Sequence, residues 1–137
     1  MDTIKFDSKQ TKVIAHRGLS GIEKENTYPA FVAAANRSYY GIETDVRVTS
    51  CGQFILMHDE TTERISLGNE NVRVVGNTFA AVKDIILPDT DGSFGRRDIK
   101  IPLLCDYVRI CKKYGKVCVI ELKDPFPKED IKRMVEE

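Results

Sequence analysis

The stretch GIETDVRVT, residues 41–49, decides the fold predicted for this chain, because it has the pattern of a β-strand with two different faces. Successive side chains of a strand point to opposite sides of a sheet. One side would carry apolar and β-branched residues, and the other would carry charges. The first set is Ile42, Thr44, Val46 and Val48, and the second is Glu43, Asp45 and Arg47. The pattern predicts a strand with one face buried and charges on the other.

Further strands and helices alternate around this strand. Thr27 followed by Pro29 predicts a helix start, because Thr is a good N-cap and Pro is tolerated in the first turn. Gly115 predicts the end of a second helix. The predicted strands are KVIAH (12–16), 42–49, QFILMHD (53–59) and VCVIEL (117–122), and the predicted helices are 28–40, 103–114 and 127–137. The order β-α-β-β-loops-α-β-α predicts an α/β fold with buried, parallel strands.

The second and third strands are predicted to form a β-hairpin, because the connection Ser50-Cys51-Gly52 is too short for a parallel crossover. With the turn centred on Ser50 and Cys51, the numbers of paired residues would sum to about 101. Glu43 would then lie opposite His58. A hairpin in this register would bring a carboxylate and an imidazole together on one face.

The length and the irregular middle of the chain predict one domain that carries an insertion. A chain of 137 residues can bury a real core in one domain. Residues 60–100 hold many Gly, Asn and Asp residues, so they are predicted to be loops with one short helix near 78–86. We therefore predict a single domain over 1–137, with a variable, loop-rich insertion at 60–100.

Composition excludes several functional classes. Lys plus Arg and Asp plus Glu are 21 each, so no basic excess indicates binding to nucleic acid. The N-terminus lacks the apolar core of a signal peptide, and no apolar run reaches transmembrane length. No C-x-x-C pair is present, so the cysteines are interpreted as small buried hydrophobic residues in a reducing cytosol. They are Cys51, Cys105, Cys111 and Cys118. These features predict a cytoplasmic protein.

Polar residues collect where the predicted strands end, and their types suit metal-assisted phosphoryl chemistry. Carboxylates provide the oxygen ligands that hard divalent cations prefer. Two imidazoles can act as general base and general acid near neutral pH. Fixed cations suit a phosphate oxyanion. The carboxylates are Glu43, Asp45 and Glu121, the imidazoles are His16 and His58, and the cations are Arg17 and Lys123.

Each of these groups also has a simpler interpretation. Glu43 and Asp45 could form the solvent face of an amphipathic strand. Glu121 and Lys123 could be a surface ion pair of little energetic value. A histidine at the end of a strand is often structural. The simpler interpretations together would require every polar exception in the predicted strands to be accidental, so the joint pattern favours a site.

Five motifs in sequence order resemble those of the glycerophosphodiester phosphodiesterase family. They are HRG (16–18), ENTYPAF (25–31), GIETDVRVT (41–49), FILMHD (54–59) and VIELK (119–123), and the segment IPLLCDYVRICKKYGK (101–116) resembles the helix before the last motif. The resemblance implies a TIM-type (β/α) barrel. It also implies hydrolysis of a small-molecule glycerophosphodiester, such as glycerophosphocholine, to glycerol 3-phosphate and an alcohol, with a divalent cation, Ca²⁺ or Mg²⁺.

The resemblance assigns roles to the same residues. It implies that His16 and His58 are the catalytic acid–base pair. It implies that Glu43, Asp45 and Glu121 hold the metal, and that Arg17 and Lys123 bind the substrate phosphate. The short insertion at 60–100 would favour a small glycerophosphodiester over a bulky lipid.

Length sets this chain apart from a complete TIM barrel, which typically needs about 250 residues. The expectation is therefore a C-terminally truncated domain that represents the first half to two-thirds of the barrel. Two alternatives follow. One is a catalytically inactive half-barrel fragment, which would dimerise to cover its open edge or bind without turnover. The other is a related lipid phosphodiesterase of the sphingomyelinase D type.

Overall fold

A computed structural model describes residues 4–136 and confirms an α/β fold with four strands and three α-helices in that range. A 3₁₀ turn, Phe79–Ala81, lies between the third strand and the second helix. The strands are β1 (Ile14–Ala15), β2 (Gly41–Val48), β3 (Phe54–Leu56) and β4 (Val117–Leu122), and the helices are α1 (Tyr28–Ala35), α2 (Leu104–Tyr114) and α3 (Lys128–Glu136). The element order is the one predicted.

Strand β2 is the centre of the sheet. Strand β4 runs parallel to it along Gly41–Val46. On the other edge of β2, β1 pairs in parallel at its start and β3 pairs antiparallel at its end. Because β1, β2 and β4 are parallel, their carboxyl ends meet at one edge of the sheet. In open and closed α/β sheets alike, this edge is where functional side chains collect.

The hairpin forms as predicted, but its register differs by one residue. Val46 pairs with Leu56 and Val48 pairs with Phe54. The loop holds three residues, closed by hydrogen bonds from the amide of Thr49 to the carbonyl of Gln53 (3.0 Å) and from the amide of Gly52 to the carbonyl of Thr49 (2.9 Å). Three-residue hairpin loops use glycine in the left-handed region, and Gly52 has φ 76°. The prediction that Glu43 faces His58 across the hairpin was therefore wrong.

The apolar face of β2 packs against α1 and α2. Ile42 and Val46 are fully buried there with Phe31 and Leu104. The hydroxyl of Tyr107 donates a hydrogen bond to the carbonyl of Ile42 at 2.5 Å and accepts one from the amide of Val119 at 3.1 Å. This buried tyrosine ties α2 to β2 and β4, so the charged face of the sheet rests on a rigid base.

Two local predictions needed correction. Helix α1 ends at Ala35 rather than near Gly41, because the Asn36 side chain donates to the carbonyl of Val32 and competes with the helix backbone. The helix predicted near 78–86 is only the 3₁₀ turn. The segment 60–100 nevertheless packs with Ile55, Met57 and Ile101 into a second apolar cluster. Its buried members are Ile55, Met57, Ile65, Val74, Val82, Ile85, Leu87, Ile99 and Ile101.

Strand β4 and the cysteines are more exposed than predicted. Val117 and Leu122 of β4 are 41% and 42% exposed. Within residues 4–136, β4 pairs with β2 alone, so only one edge of it is covered. Cys111 is buried as predicted, whereas Cys51 is exposed because it sits in the hairpin loop, and the other two cysteines are intermediate. Across the described range, none of the helices has the length and apolarity that a bilayer crossing requires.

Candidate active site

Glu43, Asp45 and Glu121 form a cluster at the carboxyl edge of the sheet. Glu43 and Asp45 share a face of β2, and Glu121 of β4 is the direct partner of Asp45 in the strand register. One carboxylate oxygen from each residue lies within 4.8 Å of the others. Asp45 is fully buried, Glu43 is mostly buried, and the side chain of Glu121 is 56% exposed. The three carboxylates predicted from the sequence are thus brought together.

Two oxygens of the cluster lack hydrogen-bond donors, as is expected of ligands to a hard divalent cation. Among the described residues, the buried oxygens Oε1 of Glu43 and Oδ1 of Asp45 accept no hydrogen bond. The ammonium of Lys123 lies 3.2 Å from that oxygen of Asp45, outside hydrogen-bonding geometry. Buried polar atoms normally have partners, and the donor set consists only of oxygens, as Ca²⁺ and Mg²⁺ prefer. These residues therefore suit the cation that the resemblance implies.

Burial raises the pKa of Glu43, and the neighbouring charge of Asp45 raises it further. The amide of Arg17 opposes this rise by donating a hydrogen bond to Oε2 of Glu43 at 2.8 Å. Relative to the unfolded chain, folding therefore shifts the proton equilibrium of Glu43 toward its protonated form. The stability that Glu43 contributes is present below its unfolded pKa and is lost as pH rises through the raised folded pKa.

Glu43→Gln should have opposite effects with and without cation. At pH 7 the neutral amide removes a disfavoured charge, so the metal-free melting temperature should rise slightly. The increase in melting temperature that Ca²⁺ or Mg²⁺ produces should shrink, because a charged ligand is lost. Thermal melts with chelator and with added cation measure both effects. Glu70→Gln, which changes an exposed carboxylate, should alter neither. An unchanged cation effect in Glu43→Gln would exclude Glu43 as a ligand.

Arg17 and Lys123, the predicted phosphate-binding cations, lie beside the carboxylates. Nε of Arg17 is 3.1 Å from Oδ2 of Asp45, and its Nη1 donates to Glu25 at 3.1 Å. Lys123 donates to Oε1 of Glu121 at 2.6 Å, a contact that also raises the pKa of Lys123. The ion pair of Glu121 with Lys123, which the sequence also allowed as a simple surface pair, is thus present within the carboxylate cluster. Both cations reach the same carboxyl edge of the sheet.

The HRG loop is seated closely on α1. Gly18 has φ 75°, and a Cβ at that position would lie 2.7 Å from the backbone carbon of Ala30. Only glycine accepts both the left-handed backbone and this approach. The loop therefore turns sharply after β1 and brings Arg17 over Glu43 and Asp45. This explains why a buried strand runs directly into a charged, glycine-containing sequence.

The two histidines are held differently. The side chain of His16 is 68% exposed, and its Nε2 lies 3.9 Å from Oε2 of Glu43. The Nδ1 atom of His58 lies 2.7 Å from Oδ1 of Asp59. If Nδ1 carries the proton and donates it to the carboxylate, Nε2 of His58 is left with a free lone pair. In that tautomer, Nε2 of His58 can accept a proton.

A chain of ion pairs connects His58 to the carboxylate cluster. Arg64 donates to Oδ2 of Asp59 at 2.5 Å and to Glu25 at 2.7 and 3.1 Å. Glu25 in turn accepts from Arg17, which contacts Asp45. Despite partial burial, hydrogen bonds from Arg64 hold the pKa values of Glu25 and Asp59 below their usual ranges. His58 also lines a small cleft with Glu25. The two halves of the site thus form one network.

A polar groove of about 510 Å³ opens beside this network. Glu23 and Glu25 line one side, and Asp89 and Asp91 of the 60–100 segment line another. Arg96 bridges the two sides, with Nη1 2.8 Å from Glu23 and 3.0 Å from Asp89. The loop-rich segment therefore lies next to the candidate site.

Sequence patterns alone did not assign a role to several residues of the site. The Asn26 side chain donates to Oδ2 of Asp45 at 2.8 Å and accepts from the hydroxyl of Thr44 at 2.8 Å. Asn26 was given no role from the sequence, although its place in the ENTYPAF motif was a usable signal. The adjacency of Asp59 to His58 was a second signal. Arg64 offered none, because Glu25 is 39 positions away and Asp59, although only five positions away, does not share a helix or strand with it.

Comparisons with known proteins agree on one family. The profile described as "Glycerophosphoryl diester phosphodiesterase family" matches residues 16–136. A glycerophosphodiester phosphodiesterase of Bacillus altitudinis is 32% identical over 134 residues, which cover 92% of this chain and 53% of the relative. The "Uncharacterized protein YqiK" of Bacillus subtilis is 35% identical over 115 residues, covering 83% of this chain and 46% of the relative.

Solved structures give the same result for the fold. A glycerophosphodiester phosphodiesterase from Agrobacterium tumefaciens matches with a TM-score of 0.77 and 26% identity, over 93% of this chain and 53% of that one. The enzyme from Thermotoga maritima matches with a TM-score of 0.71 and 29% identity, over 93% and 49%. The chain spans about half the length of these relatives.

Proposed function

The chain belongs to the glycerophosphoryl diester phosphodiesterase family, and on that premise we propose that it takes part in metal-dependent hydrolysis of a glycerophosphodiester to glycerol 3-phosphate and an alcohol. Its α/β sheet is part of the TIM-type barrel of that family. The observation that carries the proposal is the carboxylate cluster, in which Oε1 of Glu43 and Oδ1 of Asp45 are buried and accept no hydrogen bond among the described residues. Nε2 of His16 lies 3.9 Å from Glu43, and His58 is linked to the cluster through the chain of ion pairs described above.

Glu43, Asp45 and Glu121 would hold Ca²⁺ or Mg²⁺. When bound, such a cation polarises a phosphoryl oxygen and offsets negative charge. Asn26 would keep Asp45 oriented through its hydrogen bond to Oδ2. This leaves Oδ1 of Asp45 free of hydrogen bonds among the described residues.

His58 and His16 would divide the proton transfers. Nε2 of His58 would take the proton from the attacking water as the new P–O bond forms, and Asp59 would stabilise the resulting imidazolium. His16, which is exposed beside Glu43, would give its proton to the leaving alkoxide oxygen as the second P–O bond breaks. One water is consumed, and both rings return to their starting states by exchange with solvent.

Arg17 and Lys123 would bind the phosphate oxygens and stabilise the charge that develops on them. Arg17 and Lys123 both pair with Asp45, and Lys123 also pairs with Glu121. These ion pairs hold both cations beside the carboxylate cluster. The groove between Glu25 and Asp91 would accept the leaving alcohol. The short 60–100 segment would act as the insertion that covers the substrate and would favour a small glycerophosphodiester. The protein would have a single domain and a cytoplasmic location.

An inactive half-barrel that associates with itself remains a second candidate, because one observation favours it. Val119 and Leu122 of β4 expose apolar surface, and the outer edge of β4 is unpaired within residues 4–136. Exposed strand edges promote association. In that case the same residues would bind cation and substrate without turnover.

The test is release of glycerol 3-phosphate by the purified 137-residue chain. Glycerophosphocholine, glycerophosphoethanolamine and lysophosphatidylcholine would be compared with chelator and with Ca²⁺ or Mg²⁺ added back. The proposal predicts cation-dependent release of glycerol 3-phosphate from the two small diesters. It predicts little acylglycerol 3-phosphate or choline from the acylated lipid, which are the products that hydrolysis of its phosphodiester would give. A folded sample that binds cation but releases nothing would support the inactive half-barrel instead.

A further inference from the structure

Arg47 lies on the charged face of β2 beyond Asp45, and the proposed mechanism gives it no role. Its side chain is only 7% exposed. Its guanidinium donates two hydrogen bonds to one acceptor, the backbone carbonyl of His58, from Nε at 3.1 Å and from Nη2 at 2.6 Å. A third donor, Nη1, contacts Oδ1 of Asp124 at 2.5 Å. A nearly buried arginine is thus engaged with the residue proposed as the base.

We infer that Arg47 is a positioning residue: it fixes the backbone of His58, and Asp124 holds its guanidinium in place. The inference rests on the proposed role of His58 in proton transfer. It concerns where the imidazole is held, and Arg47 itself contacts neither the metal ligands nor the proposed substrate groups by any hydrogen bond found among the described residues.

The contact matters because the hairpin ladder ends just before His58. Strand β3 stops at Leu56, and the amide of Met57 donates the next ladder bond to the carbonyl of Asp45 at 3.1 Å. Arg47 attaches the next residue as well, through its two hydrogen bonds to the carbonyl of His58. Two parallel donors of a planar guanidinium restrict orientation more than a single ammonium would. His58 is therefore held at its carbonyl by Arg47 and at its ring by Asp59.

Asp124 connects this attachment to the metal-binding strands. It follows β4 directly after Lys123, and its side chain is 8% exposed. While Oδ1 binds Arg47, Oδ2 accepts a hydrogen bond from the amide of Val48 at 3.1 Å. The ion pair of Arg47 with Asp124 therefore connects the ends of β2, β3 and β4. The backbone of His58 and the strands that carry the carboxylate cluster are attached to the same buried pair.

The test compares three variants of the full chain by NMR of the histidine side chains. The chain has only two histidines, so their ring signals can be assigned by His16→Gln and His58→Gln reference samples. Arg47→Met should shift the ring signals of His58 and leave those of His16 in place. It should also lower the melting temperature, because the buried charge of Asp124 loses its partner. Arg73→Met, which removes an exposed arginine paired with exposed Glu60, should change neither.

The double variant Arg47→Met/Asp124→Asn separates positioning from simple charge pairing. It removes both buried charges while an amide oxygen can still accept from Val48, so the melting temperature should recover by at least half of the loss. The His58 signals should stay displaced, because nothing donates to its carbonyl. If those signals return to their wild-type positions with the melting temperature, or never move in Arg47→Met, the inference is overturned.

Enzyme kinetics provide an independent test of the positioning role of Arg47. In the cation-loaded protein, the double variant should lose about tenfold to a hundredfold in kcat from misplacement of the base, with KM within about twofold of wild type. A changed KM at unchanged kcat would contradict positioning. Absence of hydrolysis by the wild-type chain would instead contradict the proposed function, and the NMR result would still decide whether Arg47 positions His58.

Discussion

Replacing His58 with alanine should lower kcat for glycerophosphodiester hydrolysis by about 10²- to 10⁴-fold, the usual contribution of general acid–base catalysis. The fold should survive, because the side chain is partly exposed and Asp59 keeps its contact with Arg64. Initial rates with saturating cation, together with melting temperatures, measure both effects. A fully active His58→Ala variant would remove His58 from the mechanism.

The roles of the two histidines can be separated by the leaving group. His16→Ala should also lose activity on glycerophosphocholine, but it should recover on a nitrophenyl phosphodiester, because nitrophenolate leaves without protonation. His58→Ala should not recover, because the attacking water still needs a base. Recovery of His58→Ala and not of His16→Ala would reverse the assignment of acid and base.

Replacing Asp45 with alanine should cause the largest loss of stability among the site residues. Asp45 is fully buried and holds Arg17, Lys123 and Asn26 together. Removing one partner of a buried ion pair costs about 3–5 kcal/mol, which lowers the melting temperature of a domain of this size by roughly 10 °C or more. The variant should also show no stabilisation by Ca²⁺ or Mg²⁺. Chemical denaturation and thermal melts measure these effects.

A matched control distinguishes the buried network from ordinary surface pairing. Glu60→Ala removes a carboxylate whose partner is Arg73, and both side chains are 65% exposed. Exposed pairs contribute about 0–1 kcal/mol, so this variant should melt close to wild type. Asp45→Asn should fall between the two, because its amide oxygen can still accept from Asn26 while its charge is lost. Equal melting temperatures in Asp45→Ala and Glu60→Ala would contradict the network described.

The sequence predicted the parts of the site that depend on strand periodicity. Alternation along β2 places Glu43 and Asp45 on one face, and parallel pairing with β4 brings Glu121 beside Asp45. The alternation is a short-range rule that holds for any strand, whereas the pairing of β4 with β2 joins segments remote in sequence and was not predicted. The hairpin register was harder, because a two-residue turn and a three-residue loop around Cys51 differ by one position. That single residue separates Glu43 from His58.

The supporting contacts could not be read from local patterns. Arg47 and Asp124 are 77 positions apart, and Arg64 and Glu25 are 39 positions apart, so only the folded chain reveals these pairs. The exposure of β4 was missed for a related reason. An apolar strand is buried only where a second layer or neighbouring strand covers it, and composition alone does not state which neighbours are present.

The most direct test of hydrolysis is ³¹P NMR of glycerophosphocholine incubated with the 137-residue chain and Ca²⁺ or Mg²⁺ in ¹⁸O-enriched water. Cation-dependent attack by water should give a glycerol 3-phosphate signal that carries the ¹⁸O isotope shift, and no such signal should appear when a chelator is present. An unchanged substrate spectrum from folded, cation-binding protein would contradict catalysis by this chain. A cyclic phosphate product without ¹⁸O would contradict attack by water and would assign the nucleophile to a hydroxyl of the substrate.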